Sequence, residues 1–305
     1  MRENVMREMI SLQLAMCLMI LAGVVLKKTG IFGKTGQKNM TDLVIDFILP
    51  CSIVKSFMIE FSIKTLMQFG EILLISLLIQ TGCEVLGKML YGKKETSKGN
   101  CLRYGIICSN AGFLGNAIAE GVYGSAGLAL ASVYLIPQRI VMWSAGLAIF
   151  SGETDKKKVI KKVATHPCII ACIVGIFFML TQVTLPDFIM KTLSSFSGCL
   201  TPASMMVIGM ILTEINPKEL VNKEVIYYTV IRLLIIPVLV WIPCLLFRVD
   251  ALVTGISVLL AAMPAGATTS MLASKYDSDE KFATEMIIFS TLCSVITTMI
   301  WSMIL

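Results

Sequence analysis

Charge is scarce in this chain. Only 15% of its 305 residues are Asp, Glu, Lys or Arg, against 56% hydrophobic residues, and the mean hydropathy is +0.82. A soluble domain carries about a quarter of its residues charged, so a single water-soluble core is excluded and the chain belongs in a bilayer. Histidine is nearly absent, with His166 standing alone. None of the ten cysteines forms a Cys-x-x-Cys pair. Most lie in apolar windows, where they read as small packing residues rather than metal ligands or disulfide partners. No His-Glu-x-x-His, Gly-x-Ser-x-Gly or aspartate-rich prenyl-diphosphate motif occurs, so an intramembrane enzyme would lack a nucleophile and a metal set. "GIFGKTG" (Gly30 to Gly36) resembles the end of a phosphate-binding loop, but the full spacing requires glycine where Lys28 stands. The reading is therefore a non-enzyme with no cofactor and no metal. The N-terminus has the basic start of a signal peptide but no convincing small-residue cleavage site, and its apolar part is long enough to span, so it reads as the first helix.

What the chain does have is apolar length. A span needs about 20 mostly apolar residues, and such windows recur at 9–27, 39–59, 65–91, 101–123, 127–150, 163–182, 187–213, 224–247, 251–274 and 281–304. Alternating the joints between two sides puts 18 Lys and Arg on one face, among them Lys27, Lys93, Lys156 to Lys158 and Lys223, and 6 on the other. The positive-inside rule makes the richer face cytoplasmic. Both termini are then outside a plasma membrane, consistent with an even number of spans, and the +6 net charge needs no nucleic-acid partner.

The halves of the chain echo each other. "LPCS" (Leu49 to Ser52) recurs as "TPAS" (Thr201 to Ser204) 152 positions later, and Tyr123 as Tyr276 after 153. A repeat of five spans is odd-numbered, so its second copy enters the membrane from the opposite side. The expected organisation is an all-α membrane protein of ten helices in a five-plus-five inverted repeat. Residues 1–151 form the first repeat, 152–162 a cytoplasmic linker and 163–305 the second.

Two spans break their own pattern. "CSNAGFLGNAIAEGVYGSAG" places Asn110, Gly112, Gly115, Asn116 and Glu120 in the fourth, and "AAMPAGATTSML" places Pro264, Ala265, Gly266 and Thr268 in the ninth. An unsatisfied backbone group in hydrocarbon is so unfavourable that a helix is interrupted only where protein or a polar cavity satisfies it. Paired interruptions in corresponding spans point to a transporter's binding site. If the two cross, the second half of each offers its positive N-terminus toward the membrane centre, and the fitting guest is an anion, most simply a carboxylate.

These residues resemble the auxin efflux carrier family, which includes plant auxin carriers and bacterial malate or malonate permeases. The fourth-span element stands as Asn110, Gly112, Phe113, Gly115 and Glu120, the ninth-span element as Pro264-Ala265 followed by Tyr276 and Asp279. "THPCIIACIVG", Arg232 with Pro237, and "FSTLCSVIT" resemble the family's sixth, eighth and tenth spans. The resemblance covers nearly the whole chain. It implies scaffold and transport subdomains, broken helices four and nine crossing at the substrate site, and a homodimer. Two positions depart from the family pattern: Ala117 stands where proline is usual, and Arg139 lies deep in a span usually uncharged there.

Charges inside spans call for partners. Arg139 reads either as a substrate ligand or as a structural pair with Glu120 or Asp46. Arg232 reads as structural, snorkelling toward the cytoplasm. Asp46 could carry a coupling proton or be a helix-end charge reaching water, and Glu120 is the second coupling candidate. The resulting expectation is a secondary transporter moving a small organic anion by alternating access, with H+ or Na+ as coupling ion. Its site is formed by Asn110, Gly112, Gly115, Asn116, Pro264, Ala265, Gly266, Thr268 and Arg139, with Pro50, Ser52, Pro202 and Ser204 lining the cavity. The rival readings are a cation/proton antiporter, which would want aspartates beside the crossing, and a membrane sensor that binds without moving cargo.

Overall fold

The structure is a computed structural model that describes residues 2–60, 62–92, 96–151, 157, 160–161, 164–213 and 222–305; the expected linker 152–162 lies almost wholly outside them. Every element among the described residues is helical. In chain order they are α1 (Arg2–Lys28), α2 (Lys34–Leu43), α3 (Leu49–Ser56), α4 (Ile63–Tyr91), α5 (Ser97–Ile107), α6 (Leu114–Ser151), α7 (Pro167–Thr181), α8 (Asp187–Gly198), α9 (Leu200–Ile211), α10 (Lys223–Val230), α11 (Ile236–Leu246), α12 (Ala251–Ala261), α13 (Thr268–Lys275) and α14 (Glu280–Ile304). A π-turn at Val44–Ile48 joins α2 to α3, and another at Ile231–Ile235 joins α10 to α11.

Five stretches are long and apolar enough to cross a membrane: Ile63–Tyr91, Leu114–Phe150, Asp187–Ile211, Lys223–Leu246 and Glu280–Ile304. Pro167–Thr181 and Ala251–Ala261 are apolar but shorter. On α4, Leu74, Leu77, Leu78, Val85 and Met89 are all exposed, an apolar face that water does not tolerate and lipid does. The chain is a multi-pass membrane protein.

Local chemistry sets the helix starts. Asp250 accepts hydrogen bonds from the backbone N–H of Leu252 and Val253, and Asp279 accepts from Phe282 N at 2.9 Å. His166 Nδ1 accepts from Cys168 N at 3.2 Å just before Pro167, so the lone histidine is the N-cap of α7. Proline shapes the interiors. Pro237 cannot donate to the carbonyl of Leu233 four residues back, and the indole N–H of Trp301 on α14 takes that place at 3.0 Å. α6 contains a non-helical residue, Gly124, with φ of 65° and ψ of −158°. That backbone suits glycine and divides the helix into limbs 114–123 and 125–151.

The chain forms two compact units. One comprises Met1–Phe69, Phe113–Val133 and Thr165–Glu214, the other Gly70–Gly112, Tyr134–Ala164 and Ile215–Leu305. Each therefore takes segments from both halves of the sequence. In the first, α1 lies backbone to backbone along α9: a Cβ on Gly23 would collide with the Met206 carbonyl, and one on Gly209 with the Ile20 carbonyl. Small residues permit such approaches in lipid, where dispersion replaces the hydrophobic effect between helices. Phe57 is fully buried in the same unit, against the backbone of Gly175 and edge-on to Phe69 at 5.4 Å. The core of the second unit gathers Leu102, Ile106, Tyr228, Ala265, Phe282 and Met286.

Gly209→Val should destabilise the first unit by at least the ~1–3 kcal/mol typical of overpacking. Thermal unfolding in detergent will show a lowered midpoint. Gly70→Ala, where nothing lies within 4 Å of the added methyl, should leave the midpoint unchanged or slightly raised.

Candidate functional site

Both patterned breaks are real interruptions, and they meet within the second unit. α5 ends at Ile107, Cys108 is extended (φ −117°, ψ 106°), a single 3-10 turn covers Asn110–Gly112, and α6 starts at Leu114. α12 ends at Ala261 and α13 begins at Thr268. Between them Ser109 pairs with Ala265 in an antiparallel bridge, and Asn110 N–H donates to the Pro264 carbonyl at 2.7 Å. Two short pieces of extended backbone thus pair with each other, as buried polar backbone must. Gly266 is needed for this approach, because a Cβ there would lie 3.3 Å from the Ser109 carbonyl oxygen. Gly112 has open space around it instead, so its hydrogen in place of a side chain answers no packing demand.

The ends of the half-helices are satisfied one group at a time. A helix leaves its last four carbonyls without intrahelical partners. In α5, Tyr104 O accepts from Cys108 N (2.7 Å), Gly105 O from the Tyr228 hydroxyl (3.0 Å), Ile106 O from Arg232 Nη1 (3.2 Å) and Ile107 O from Gln80 Nε2 (2.8 Å). Past the break, Gln138 Nε2 donates to Ser109 O at 2.8 Å. On the other chain segment, Arg232 Nε donates to Met263 O at 3.0 Å and Ser290 Oγ accepts from Ala265 N at 3.2 Å. Tyr104 OH donates to Thr268 Oγ1 at 3.1 Å, tying α5 to the start of α13. Arg232 is only 3% exposed, so it does not snorkel; its guanidinium turns inward to two carbonyls.

Not every polar group at the crossing is satisfied. Ser109 Oγ and Thr269 Oγ1 are buried without a hydrogen-bond partner among the described residues, and so, elsewhere in the second unit, is Arg139 Nη1. Arg139 is 5% exposed and follows Gln138, the residue that reaches the Ser109 carbonyl. Its two expected partners belong to the other unit, where Glu120 Oε1 accepts from the Ser197 hydroxyl at 3.3 Å and Asp46 is exposed on the first π-turn.

The expected site residues divide between the units. Asn110, Gly112, Pro264, Ala265, Gly266, Thr268 and Arg139 belong to the second; Pro50, Ser52, Gly115, Asn116, Glu120, Pro202 and Ser204 belong to the first. In the first unit, Gly115 and Asn116 lie in helix beyond the break, Ser52 Oγ donates to Ser197 O at 3.3 Å, and Thr201 Oγ1 donates to Ala117 O at 3.4 Å. Gln80, Tyr104, Ser109, Tyr228 and Ser290 were not singled out by sequence. A glutamine inside the apolar run of α4 was the one available signal.

The sequence profile of the membrane transport protein family, the auxin efflux carriers, matches residues 9–162 and 155–302. The chain belongs to this family. It is 26% identical over 305 aligned residues to an uncharacterized transporter of Methanocaldococcus jannaschii, covering 96% of this chain and 97% of that protein. It is 24% identical over 297 residues to an uncharacterized transporter of Methanothermobacter thermautotrophicus, with coverages of 96% and 97%. Family membership makes the protein a membrane transporter, and the expectation of a transported solute follows with it.

Gln138→Leu leaves the Ser109 carbonyl buried without its donor, and should destabilise the protein by about 1–3 kcal/mol, read as a lowered unfolding midpoint in detergent. Gly266→Val should do the same by pressing on Ser109, whereas Gly112→Ala should be tolerated.

Proposed function

We propose that this membrane transport protein carries a small organic anion, most simply a carboxylate, across the plasma membrane by alternating access, with the binding chemistry at the crossing. The observation that carries the reading is Arg139, a buried cation with a guanidinium nitrogen that has no partner among the described residues. A buried charge without a counter-group is strongly unfavourable, and an anionic cargo would complete it. Arginine presents a planar fork matched to a carboxylate. Ser109 and Thr269 add hydroxyls, and the start of α13 at Thr268 adds the positive end of a helix.

Among the described residues, the side-chain donors and acceptors that meet the crossing are Arg232, Gln80, Gln138, Tyr104, Tyr228 and Ser290, with no carboxylate among them. This argues against a cation/proton antiporter, which needs acidic groups there. A sensor would show binding without flux in the same preparation. Support for the ten-span inverted repeat comes from paired distortions. The π-turn around Asp46 is matched, 153 positions on, by the helix junction at Cys199, and the α6 bend after Tyr123 by the end of α13 before Tyr276. Under this reading both termini are outside and the protein forms a homodimer.

Arg139→Gln should lower uptake of labelled carboxylates into proteoliposomes by about 30-fold or more, the loss expected when one member of a buried charge pair is removed. The thermal stability of the unliganded variant should be equal or higher, since an uncompensated buried charge is gone. Carboxylates that raise the unfolding midpoint of the wild type should not raise that of the variant. A fall in stability together with transport would instead mark Arg139 as structural.

A further inference from the structure

Arg232 is an unusual cation. It sits on the π-turn Ile231–Ile235, is 3% exposed, and pairs with no carboxylate among the described residues. Its contacts are the carbonyl of Ile106 in the last turn of α5, the carbonyl of Met263 just beyond the end of α12, and the Cys83 sulfur at 3.9 Å. A helix C-terminus carries roughly half a negative charge. Two such ends sum to about one negative charge, which the single guanidinium balances. In transporters with broken helices, unwound carbonyls and half-helix C-terminal ends are the groups that coordinate a coupling cation such as Na+. Here the corresponding carbonyls already have protein donors: Ile106 and Met263 from Arg232, Ile107 from Gln80, Ser109 from Gln138 and Pro264 from the Asn110 N–H.

We propose that Arg232 is the resident cation of the crossing, a positioning residue that holds the two half-helix ends together in place of a dissociable metal ion. The inference rests on the transporter reading and deepens it. With the negative ends neutralised by Arg232, the opposite helix ends leave the crossing positive toward its cargo. It follows that the crossing assembles and works without bound Na+. Arg232 is the second residue of the π-turn Ile231–Ile235, and from it the side chain reaches both carbonyls.

The test uses the full-length protein and small cations as probes. Thermal unfolding of the wild type in detergent should have the same midpoint in sodium, potassium or choline chloride at equal ionic strength. Arg232→Gly, which opens space for a free cation, should have a lowered midpoint that millimolar guanidinium restores in part, while guanidinium leaves the wild-type midpoint unraised. Arg232→Lys, which keeps the charge and loses the fork, should retain more carboxylate uptake in proteoliposomes than the similarly sized Arg232→Met. Arg232→Met should lose about tenfold or more, the factor that corresponds to one charge-assisted hydrogen bond. The proposal is overturned if Na+ selectively stabilises the wild type. It is equally overturned if Arg232→Met matches the wild type in stability and uptake without added cation. The cation arms need no anion, so they can fail while carboxylate transport stands, and the reverse holds as well. Should Arg232→Gly not fold, the wild-type cation series alone still decides.

Discussion

A helix interrupted in hydrocarbon must find a partner for every backbone group it frees, and water is not available to supply one. The second unit is organised around this requirement. Ser109 and Ala265 pair as a fragment of antiparallel sheet, Asn110 donates to Pro264, and the last four carbonyls of α5 are covered by donors from its own chain, α4, α10 and the π-turn. Once this is met, the position of α4 beside α5 is fixed through Gln80, that of the later limb of α6 through Gln138, and that of α14 through Ser290. Apolar packing of Leu102, Ile106, Tyr228, Phe282 and Met286 then fills the same unit. Packing alone would not choose between neighbouring registers of these helices, because lipid tails are as apolar as the side chains. Hydrogen bonds of defined geometry do choose.

Much of this arrangement could be read from the sequence. Composition placed the chain in a membrane, Pro264 and the glycines around Asn110 located both interruptions, and the residues flanking them carried the family resemblance that the whole-chain profile match establishes. The partners of the breaks could not be read in the same way. Gln80, Tyr228 and Ser290 reach the crossing from 27, 123 and 25 positions away from the groups they bind. A glutamine or serine in an apolar helix carries no mark of which neighbouring backbone it will meet. Glycine was also ambiguous: Gly266 is required by the closeness of Ser109, while Gly112 has no neighbour that a methyl would touch, though both look alike as letters. The resemblance implied two subdomains but not their composition, because each compact unit is assembled from three separate stretches of chain, and a contiguous five-span repeat gives no direct sign of that interleaving.

The two π-turns illustrate how an irregularity can be useful. Each ends two residues before a proline, Val44–Ile48 before Pro50 and Ile231–Ile235 before Pro237. Proline removes a donor and crowds the preceding turn, so a widened turn is a natural accommodation, and it rotates the residues on either side of it. On the second π-turn the loosened backbone leaves the Leu233 carbonyl to Trp301 and carries Arg232. A proline that would only weaken a soluble helix here leaves free a carbonyl that anchors α14.

Arg139 and Arg232 make the final contrast. Both are buried arginines in the same unit, and sequence alone assigns them to the same puzzle of charge inside a membrane. Their surroundings separate them. Arg232 donates to two carbonyls at the negative ends of helices and is complete within the protein. Arg139 has a guanidinium nitrogen that nothing among the described residues accepts from. A cation balanced by its own fold stabilises that fold, whereas an unbalanced one destabilises it and stores the difference for whatever anion comes to bind. Membrane burial makes the distinction sharp, because no solvent is present to even the two environments out. The contrast therefore follows from satisfaction of hydrogen bonds rather than from residue type: one arginine is built into the crossing, and the other keeps a guanidinium nitrogen without an acceptor among the described residues.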